Sequence, residues 1–182
     1  FTTGIFGTKY ILEAMSMNFS ADGVFNIVNS TEFPGWGHMI DKGATTIWET
    51  WKESDNTYSN CHPMFGTVTE WFYRWLGGIK PDPEYPGFRK FFLMPSVPEK
   101  LENVNCTYNS PYGRIVSDWR KENNSIIYRF EIPEGTSAGI GVKMNSSNHI
   151  RIEKDQASGF NPEMIKGLST GNFKLSEGRY TV

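Results

Sequence analysis

The hydrophobic positions of this chain follow a helical period up to about residue 78 and a strand period after it. Two short helices are predicted first, one from near Thr8 to about Asn18 and one directly after Ser20. The apolar residues that place one side of these helices against a core are Ile11, Leu12, Met15, Val24, Ile27 and Val28.

The strongest helical pattern follows Pro63, a residue suited to the first position of a helix. Gly77 and Gly78 are predicted to end this helix. Before it, residues 33–37 combine Pro with Gly and predict a loop or a single turn. The apolar stripe of the helix after Pro63 consists of Phe65, Val68, Trp71, Phe72, Trp75 and Leu76.

Beyond a linker-like stretch at residues 81–87, apolar and polar residues alternate and predict strands. Residues 114–120 and 126–132 predict a β-hairpin, and the polar run at residues 145–148 predicts a turn. Six or seven short strands favour an antiparallel β-sandwich, so the predicted fold class is α+β. The other predicted strands are residues 90–94, 101–108, 138–144, 149–153 and 179–182.

Composition excludes several classes of function for this chain of 182 residues. Charged residues make up 21% and the formal net charge is −2, so nucleic acid is not an expected partner. No apolar run approaches the roughly 20 residues that cross a bilayer, so no membrane partner is expected. No spacing typical of a metal site or a phosphate-binding loop is present, and no metal or cofactor is predicted.

The two cysteines, Cys61 and Cys106, allow at most one disulfide and leave the compartment open. The chain begins with Phe1 and shows no signal-peptide pattern, so we expect it to be a fragment of a longer protein.

Glu49 is the first candidate for chemistry, because it stands between Trp48 and Trp51. An apolar wall raises the cost of ionising a carboxyl group, which can tune it for proton transfer. The same residue could belong to a capping box, in which Thr46 caps a helix and Glu49 bonds back to its N–H. Spacing alone favours the capping box.

Two further side chains are candidates for contact with a ligand. His62 precedes the strongest helix, where it can bond a ligand hydroxyl or cap the helix, and the cap is the more common arrangement. Trp36 lies in a rigid turn that could present its indole to a sugar or bury it in the core. These alternatives stay open on the sequence alone.

Seven short motifs follow one another along residues 3 to 120, about two-thirds of the chain. They are TGIFGT from Thr3, FPGW from Phe33, GATTIWE from Gly43, FGTVTEWFYR from Phe65, LGGIKPD from Leu76, PGFR from Pro86 and SPYGRI from Ser110. In this order they resemble the bacterial α-L-rhamnosidases of glycoside hydrolase family 78.

The resemblance implies that residues 1–80 are the last helices of an (α/α)₆ barrel and that residues 81–182 are a C-terminal β-sandwich domain. It implies an inverting glycoside hydrolase that removes terminal α-L-rhamnose, with Glu49 as general base and His62 in contact with the sugar. The general acid would lie earlier in the barrel, outside this chain. We therefore expect the fragment alone to be inactive.

The expected partners are a rhamnose-containing glycoside or polysaccharide and the upstream half of the same barrel. Trp36 and Trp48 are predicted to help bind the sugar. A truncated barrel should expose aromatic surface, with Trp36, Trp48 and Trp51 the most affected, or bury it in a homodimer. The alternative function is a non-catalytic module that binds carbohydrate or is purely structural.

Overall fold

Two compact units make up the computed structural model. The first unit contains Phe1–Phe72 with Val97–Lys100, and the second contains Tyr73–Ser96 with Leu101–Val182. The residues that the structure describes are 3–18, 20–52, 59–144, 149–155 and 160–182.

The first unit begins with two helices that confirm the predicted pattern. Helix α1 spans Gly7–Asn18 and helix α2 spans Ala21–Val28. Ser20 caps α2, because its hydroxyl accepts a hydrogen bond from the Gly23 N–H. The predicted loop at residues 33–37 is shorter than expected, since a third helix, α3, spans Trp36–Asp41.

The helical segment after Pro63 changes its winding along its length. It starts as a 3₁₀ turn at Pro63–Gly66, continues as helix α4 at Thr67–Trp71 and ends as a π-helical turn at Phe72–Leu76. It stops before Gly77, as predicted. Gly78 follows with a φ of +70°, a left-handed conformation that favours glycine.

The core of the first unit is rich in tryptophan. The Trp71 indole N–H donates to the Ser16 hydroxyl at 2.7 Å, which ties the end of α4 to α1. This buried indole thus keeps its apolar area out of water while its N–H finds an acceptor. The apolar residues of this core include Leu12, Val24, Val28, Trp36, Met39, Trp48, Trp51, Phe65, Val68 and Trp71.

The second unit is a curled sheet of eight strands, in which all but one of the paired neighbours are antiparallel. The predicted hairpin is present, because β5 and β6 pair with Trp119 opposite Tyr128. Asn123 and Asn124 form its turn with φ of +46° and +67°, the sign that a two-residue hairpin turn requires. The strands are β1 (Ile79–Pro81), β2 (Lys90–Leu93), β3 (Asn103–Val104), β4 (Thr107–Ser110), β5 (Gly113–Glu122), β6 (Ser125–Gly141), β7 (Glu153–Lys154) and β8 (Asn172–Thr181).

Several details of the sheet differ from the sequence prediction. The last strand, predicted at 179–182, begins at Asn172, and the strand predicted at 101–108 is divided into β3 and β4. The strands predicted at 126–132 and 138–144 form one long strand, β6, with a register shift between Ile132 and Ser137. Strand β2 pairs with the end of β6 in parallel. The strand predicted at 149–153 is reduced to β7, and the turn predicted at 145–148 lies outside the described residues.

The core of the second unit lies under β5 and β6. Trp119 is 2% exposed, and its indole N–H donates to the Leu76 carbonyl at 2.9 Å. Both cysteines are free thiols: Cys61 is exposed, whereas burial and the neighbouring Asp118 raise the pKa of Cys106 to about 11. Helices followed by a curled sheet confirm the predicted α+β class.

Glu131 on β6 joins three strands through arginines. Its carboxylate lies 2.6 Å from Arg114 Nη2 on β5 and 3.5 Å from Arg179 Nε on β8. Burial raises the pKa of Glu131, but the hydrogen bond from Arg114 and the charges of Arg114, Arg179 and Arg129 outweigh burial and lower it.

A carboxyl group with a lowered folded-state pKa stabilises the fold above its ordinary pKa and loses that contribution as the pH falls through the folded value. We therefore expect Glu131→Gln to destabilise the protein modestly at pH 7, because the arginines are half exposed to water. The difference should shrink below about pH 4. Urea unfolding of the parent protein and the Glu131→Gln variant, at pH 7 and below about pH 4, measures the difference in unfolding free energy. An equal difference at the two pH values would contradict a lowered pKa of Glu131 in the folded protein.

Candidate functional site

A loop anchored by two buried tryptophans carries the candidate carboxylate. Trp48 is 4% exposed, and the Trp51 indole N–H donates to the Thr3 carbonyl at 2.7 Å. The Trp51 ring lies 3.9 Å from the Phe65 ring and 5.0 Å from the Trp36 ring, centroid to centroid. Glu49 is held between these anchors, so the backbone on both sides of it is fixed to the core of the first unit.

The loop is paired with a second segment further along the chain. Residues 46–49 lie beside residues 59–62, and their hydrogen bonds connect main chain to main chain and side chain to main chain. These bonds join Glu49 N–H to Ser59 O at 2.9 Å, His62 N–H to Ile47 O at 2.7 Å, and the Thr46 hydroxyl to Asn60 O. The pairing places Glu49 and His62 on adjacent segments.

Glu49 is half-buried as a residue, and its solvent-accessible carboxylate has one hydrogen bond among the described residues. Its Oε2 accepts from the Ser59 N–H at 2.9 Å. No helix begins at Thr46, because residues 44–52 are irregular throughout, and the capping-box interpretation is therefore wrong. The carboxylate instead closes the connection between the two paired segments.

His62 caps the 3₁₀ turn that opens the helical segment. Its Nδ1 accepts a hydrogen bond from the Met64 N–H at 3.4 Å, so the capping alternative is confirmed. An accepting Nδ1 puts the proton of the neutral ring on Nε2. The half-buried imidazole can therefore cap the turn and still offer Nε2–H as a donor.

The three tryptophans expected at a broken barrel surface are buried. Trp36, Trp48 and Trp51 are 7%, 4% and 8% exposed, so the expectation that they are the most exposed aromatics is wrong. Trp36 donates its indole N–H to the Phe65 carbonyl at 2.9 Å. Both indoles belong to the core of the first unit. The contact of Trp36 and Trp48 with a sugar stays a prediction.

Apolar surface is exposed elsewhere in the first unit. Helix α1 and the residue before it expose Phe6, Tyr10 and Met17 to 72%, 73% and 67%, and α3 exposes Ile40 to 72%. Such side chains normally mark a surface that another segment covers.

An apolar cavity of about 640 Å³ in the first unit does not contain the carboxylate. Neither Glu49 nor His62 lines it. Its walls include Phe25, Val28, Ile40, Ile47 and Phe72, which suit an apolar occupant better than a sugar, whose hydroxyls need hydrogen bonds. We therefore place the candidate site at Glu49 and not in this cavity.

Neither a metal-ligand cluster nor a membrane-spanning helix occurs in the part of the chain that the structure describes. Within it, no group of three or more His, Cys, Asp or Glu side chains could hold a metal ion. None of the helices described there has the length and apolar character needed to span a bilayer.

Ser59 and Asn60, the partners of Glu49 and Thr46, were not predicted from the sequence. Their bonds cross ten residues or more of sequence, so no local spacing could have indicated them.

Two family models match successive parts of the chain. The model described as the bacterial alpha-L-rhamnosidase 6 hairpin glycosidase domain matches residues 1–76. The model described as the bacterial alpha-L-rhamnosidase C-terminal domain matches residues 78–157. Glu49 and His62 both lie in the region that matches the first model.

Curated relatives and a solved structure carry the same description. The chain is 27% identical over 177 residues to one alpha-L-rhamnosidase of Formosa agariphila, covering 90% of the chain and 18% of the relative. It is 30% identical over 195 residues to another alpha-L-rhamnosidase from that organism, and this match covers 100% of the chain and 20% of the relative. The structure of alpha-L-rhamnosidase from Dictyoglumus thermophilum matches with a TM-score of 0.79 at 25% identity, covering 100% of this chain and 21% of that one. The chain spans about a fifth of the length of these proteins.

Proposed function

Because this chain belongs to the bacterial α-L-rhamnosidase family, we propose that it supplies the general base of a longer enzyme that removes terminal α-L-rhamnose from glycosides or polysaccharides. The observation that carries the proposal is the Glu49 carboxylate, accessible to solvent and oriented by the Ser59 N–H at 2.9 Å. It lies within the part of the chain that matches the six-hairpin glycosidase model.

The proposed reaction is hydrolysis with inversion. Glu49 takes a proton from a water molecule whose oxygen attacks the anomeric carbon on the face opposite the leaving group. A carboxylic acid outside this chain protonates the leaving oxygen. Since one carboxyl group cannot supply both roles at opposite faces, we propose that the isolated chain is inactive.

His62 is proposed to bind the sugar. Its Nδ1 is occupied by the Met64 N–H, so Nε2–H is the group that donates to a sugar hydroxyl. Trp48 and Trp36 are proposed to form the apolar wall behind the carboxylate, since both are buried.

The upstream half of the barrel is the proposed partner of the exposed apolar surface of the first unit. Phe6, Tyr10, Met17 and Ile40 are each at least 67% exposed, and helices that covered them would bury a large apolar area. A homodimer, the other predicted partner, would bury the same residues.

The non-catalytic alternative has one supporting feature in the second unit. Tyr108 is 36% exposed and its ring lies 4.8 Å from the Phe88 ring and 6.3 Å from the Tyr73 ring, centroid to centroid. Such adjacent rings can contact the apolar face of a sugar. Loss of polysaccharide binding in Tyr108→Ala, with no turnover in the longer protein, would favour this alternative.

The stereochemistry of the product tests the proposed reaction. We expect the longer enzyme to release β-L-rhamnose first from an aryl α-L-rhamnoside, because a single displacement inverts the anomeric centre. Proton NMR during the first minutes distinguishes the anomers before mutarotation mixes them. Release of the α-anomer first would contradict inversion, and turnover by the isolated chain would contradict its proposed inactivity.

A further inference from the structure

Ser59 contacts both ends of Glu49. Its carbonyl accepts from the Glu49 main-chain N–H at 2.9 Å, and its own N–H donates to Glu49 Oε2 at 2.9 Å. A glutamate side chain has three rotatable bonds, so one main-chain bond alone would leave its carboxylate mobile. The second bond fixes the carboxylate relative to the loop.

The Ser59 backbone is itself fixed by its neighbours. The Ser59 hydroxyl accepts from the Cys61 N–H at 3.1 Å, which stabilises the local turn. Within this turn, Asn60 O accepts from the Thr46 hydroxyl, and directly after it the His62 N–H donates to Ile47 O. The donor to Glu49 therefore belongs to a segment that is bonded at several points.

This arrangement assigns different tasks to the two carboxylate oxygens. Oε2 accepts the Ser59 N–H, and Oε1 has no hydrogen bond within the described residues, which makes Oε1 the oxygen that takes the proton from water in the proposed mechanism.

We propose that Ser59 is a positioning residue for the Glu49 carboxylate, acting through its main-chain N–H. The proposal rests on the proposed function, in which Glu49 is the base. Loss of the Ser59 peptide N–H should therefore impair the base, whereas loss of the Ser59 hydroxyl alone should have a smaller effect.

The test replaces the peptide nitrogen and leaves the side chain matched. In the full-length enzyme, Ser59→Ala removes the hydroxyl and keeps the N–H. Replacing Ser59 by L-lactic acid gives the same methyl side chain but turns the N–H into an ester oxygen. Ser59→Pro, which also lacks the N–H, is the simpler genetic version.

We expect the ester variant to have a kcat about 10-fold or more below that of Ser59→Ala on an aryl α-L-rhamnoside, because the base is no longer oriented. KM should change by less than about threefold, since sugar contacts are kept. A kcat that falls while KM holds distinguishes a misplaced base from a general loss of structure, which would change both.

Equal kcat values for the ester and Ser59→Ala variants would overturn the positioning role. Glu49→Gln, measured in parallel, distinguishes failure of the Ser59 positioning role from failure of the proposed function. If Glu49→Gln loses turnover while the ester variant does not, only the role of Ser59 is wrong. If Glu49→Gln keeps near-normal turnover, both proposals are wrong.

Discussion

Gly78→Ala is expected to destabilise the second unit by more than about 3 kcal/mol, a large part of the roughly 5–15 kcal/mol that keeps a typical domain folded. Gly78 has a φ of +70°, and a Cβ there would lie 2.1 Å from Pro95 N and 2.2 Å from the Met94 carbonyl carbon. These are backbone atoms, which cannot rotate away as a side chain can. The Gly78 carbonyl also accepts from the Met94 N–H at 2.9 Å, so moving the chain apart would break that bond.

Gly135 provides a control with the same backbone conformation. Its φ is +71°, but a Cβ there would meet nothing within 4 Å. Gly135→Ala should therefore cost only the strain of a left-handed alanine, about 1–2 kcal/mol. Urea unfolding of both variants separates strain from collision, and equal losses in the two would contradict the close approach at Gly78.

Local signals predicted several of the element boundaries. Pro63 starts the helical segment, Gly77 and Gly78 stop it, and Asn123 with Asn124 turns the hairpin. Each of these acts through the backbone preferences of one or two residues, so it can be read without knowledge of the rest of the fold.

Contacts between distant segments could not be predicted in this way. The parallel pairing of β2 with the end of β6 joins Phe91 to Ala138, and no local pattern specifies it. The burial of Trp36 against Trp51 and Phe65 likewise depends on segments that meet only in the fold. The expectation of a truncated barrel therefore suggested exposed rings where the structure has a core.

The candidate site was predicted by residue type but not by arrangement. Glu49 and His62 were identified, yet the Thr46–Glu49 spacing favoured a capping box that does not form. The bonds of Glu49 and Thr46 run to Ser59 and Asn60 instead. A Thr-x-x-Glu spacing is compatible with both arrangements, and only the fold decides between them.

Glu49→Gln is expected to lower the turnover of the full-length enzyme by about 10²-fold or more, because an amide cannot accept the proton from water. The amide oxygen can still accept the Ser59 N–H that Oε2 accepts now, so the loop should keep its geometry. Stability and rhamnose affinity should therefore change little.

The most direct test is kcat of Glu49→Gln on an aryl α-L-rhamnoside, read together with its melting temperature. The predicted result is a loss of turnover of about 100-fold or more with a melting temperature within about 2 °C of the parent protein. A variant that melts normally and turns over at near the parent rate would show that Glu49 is not the base.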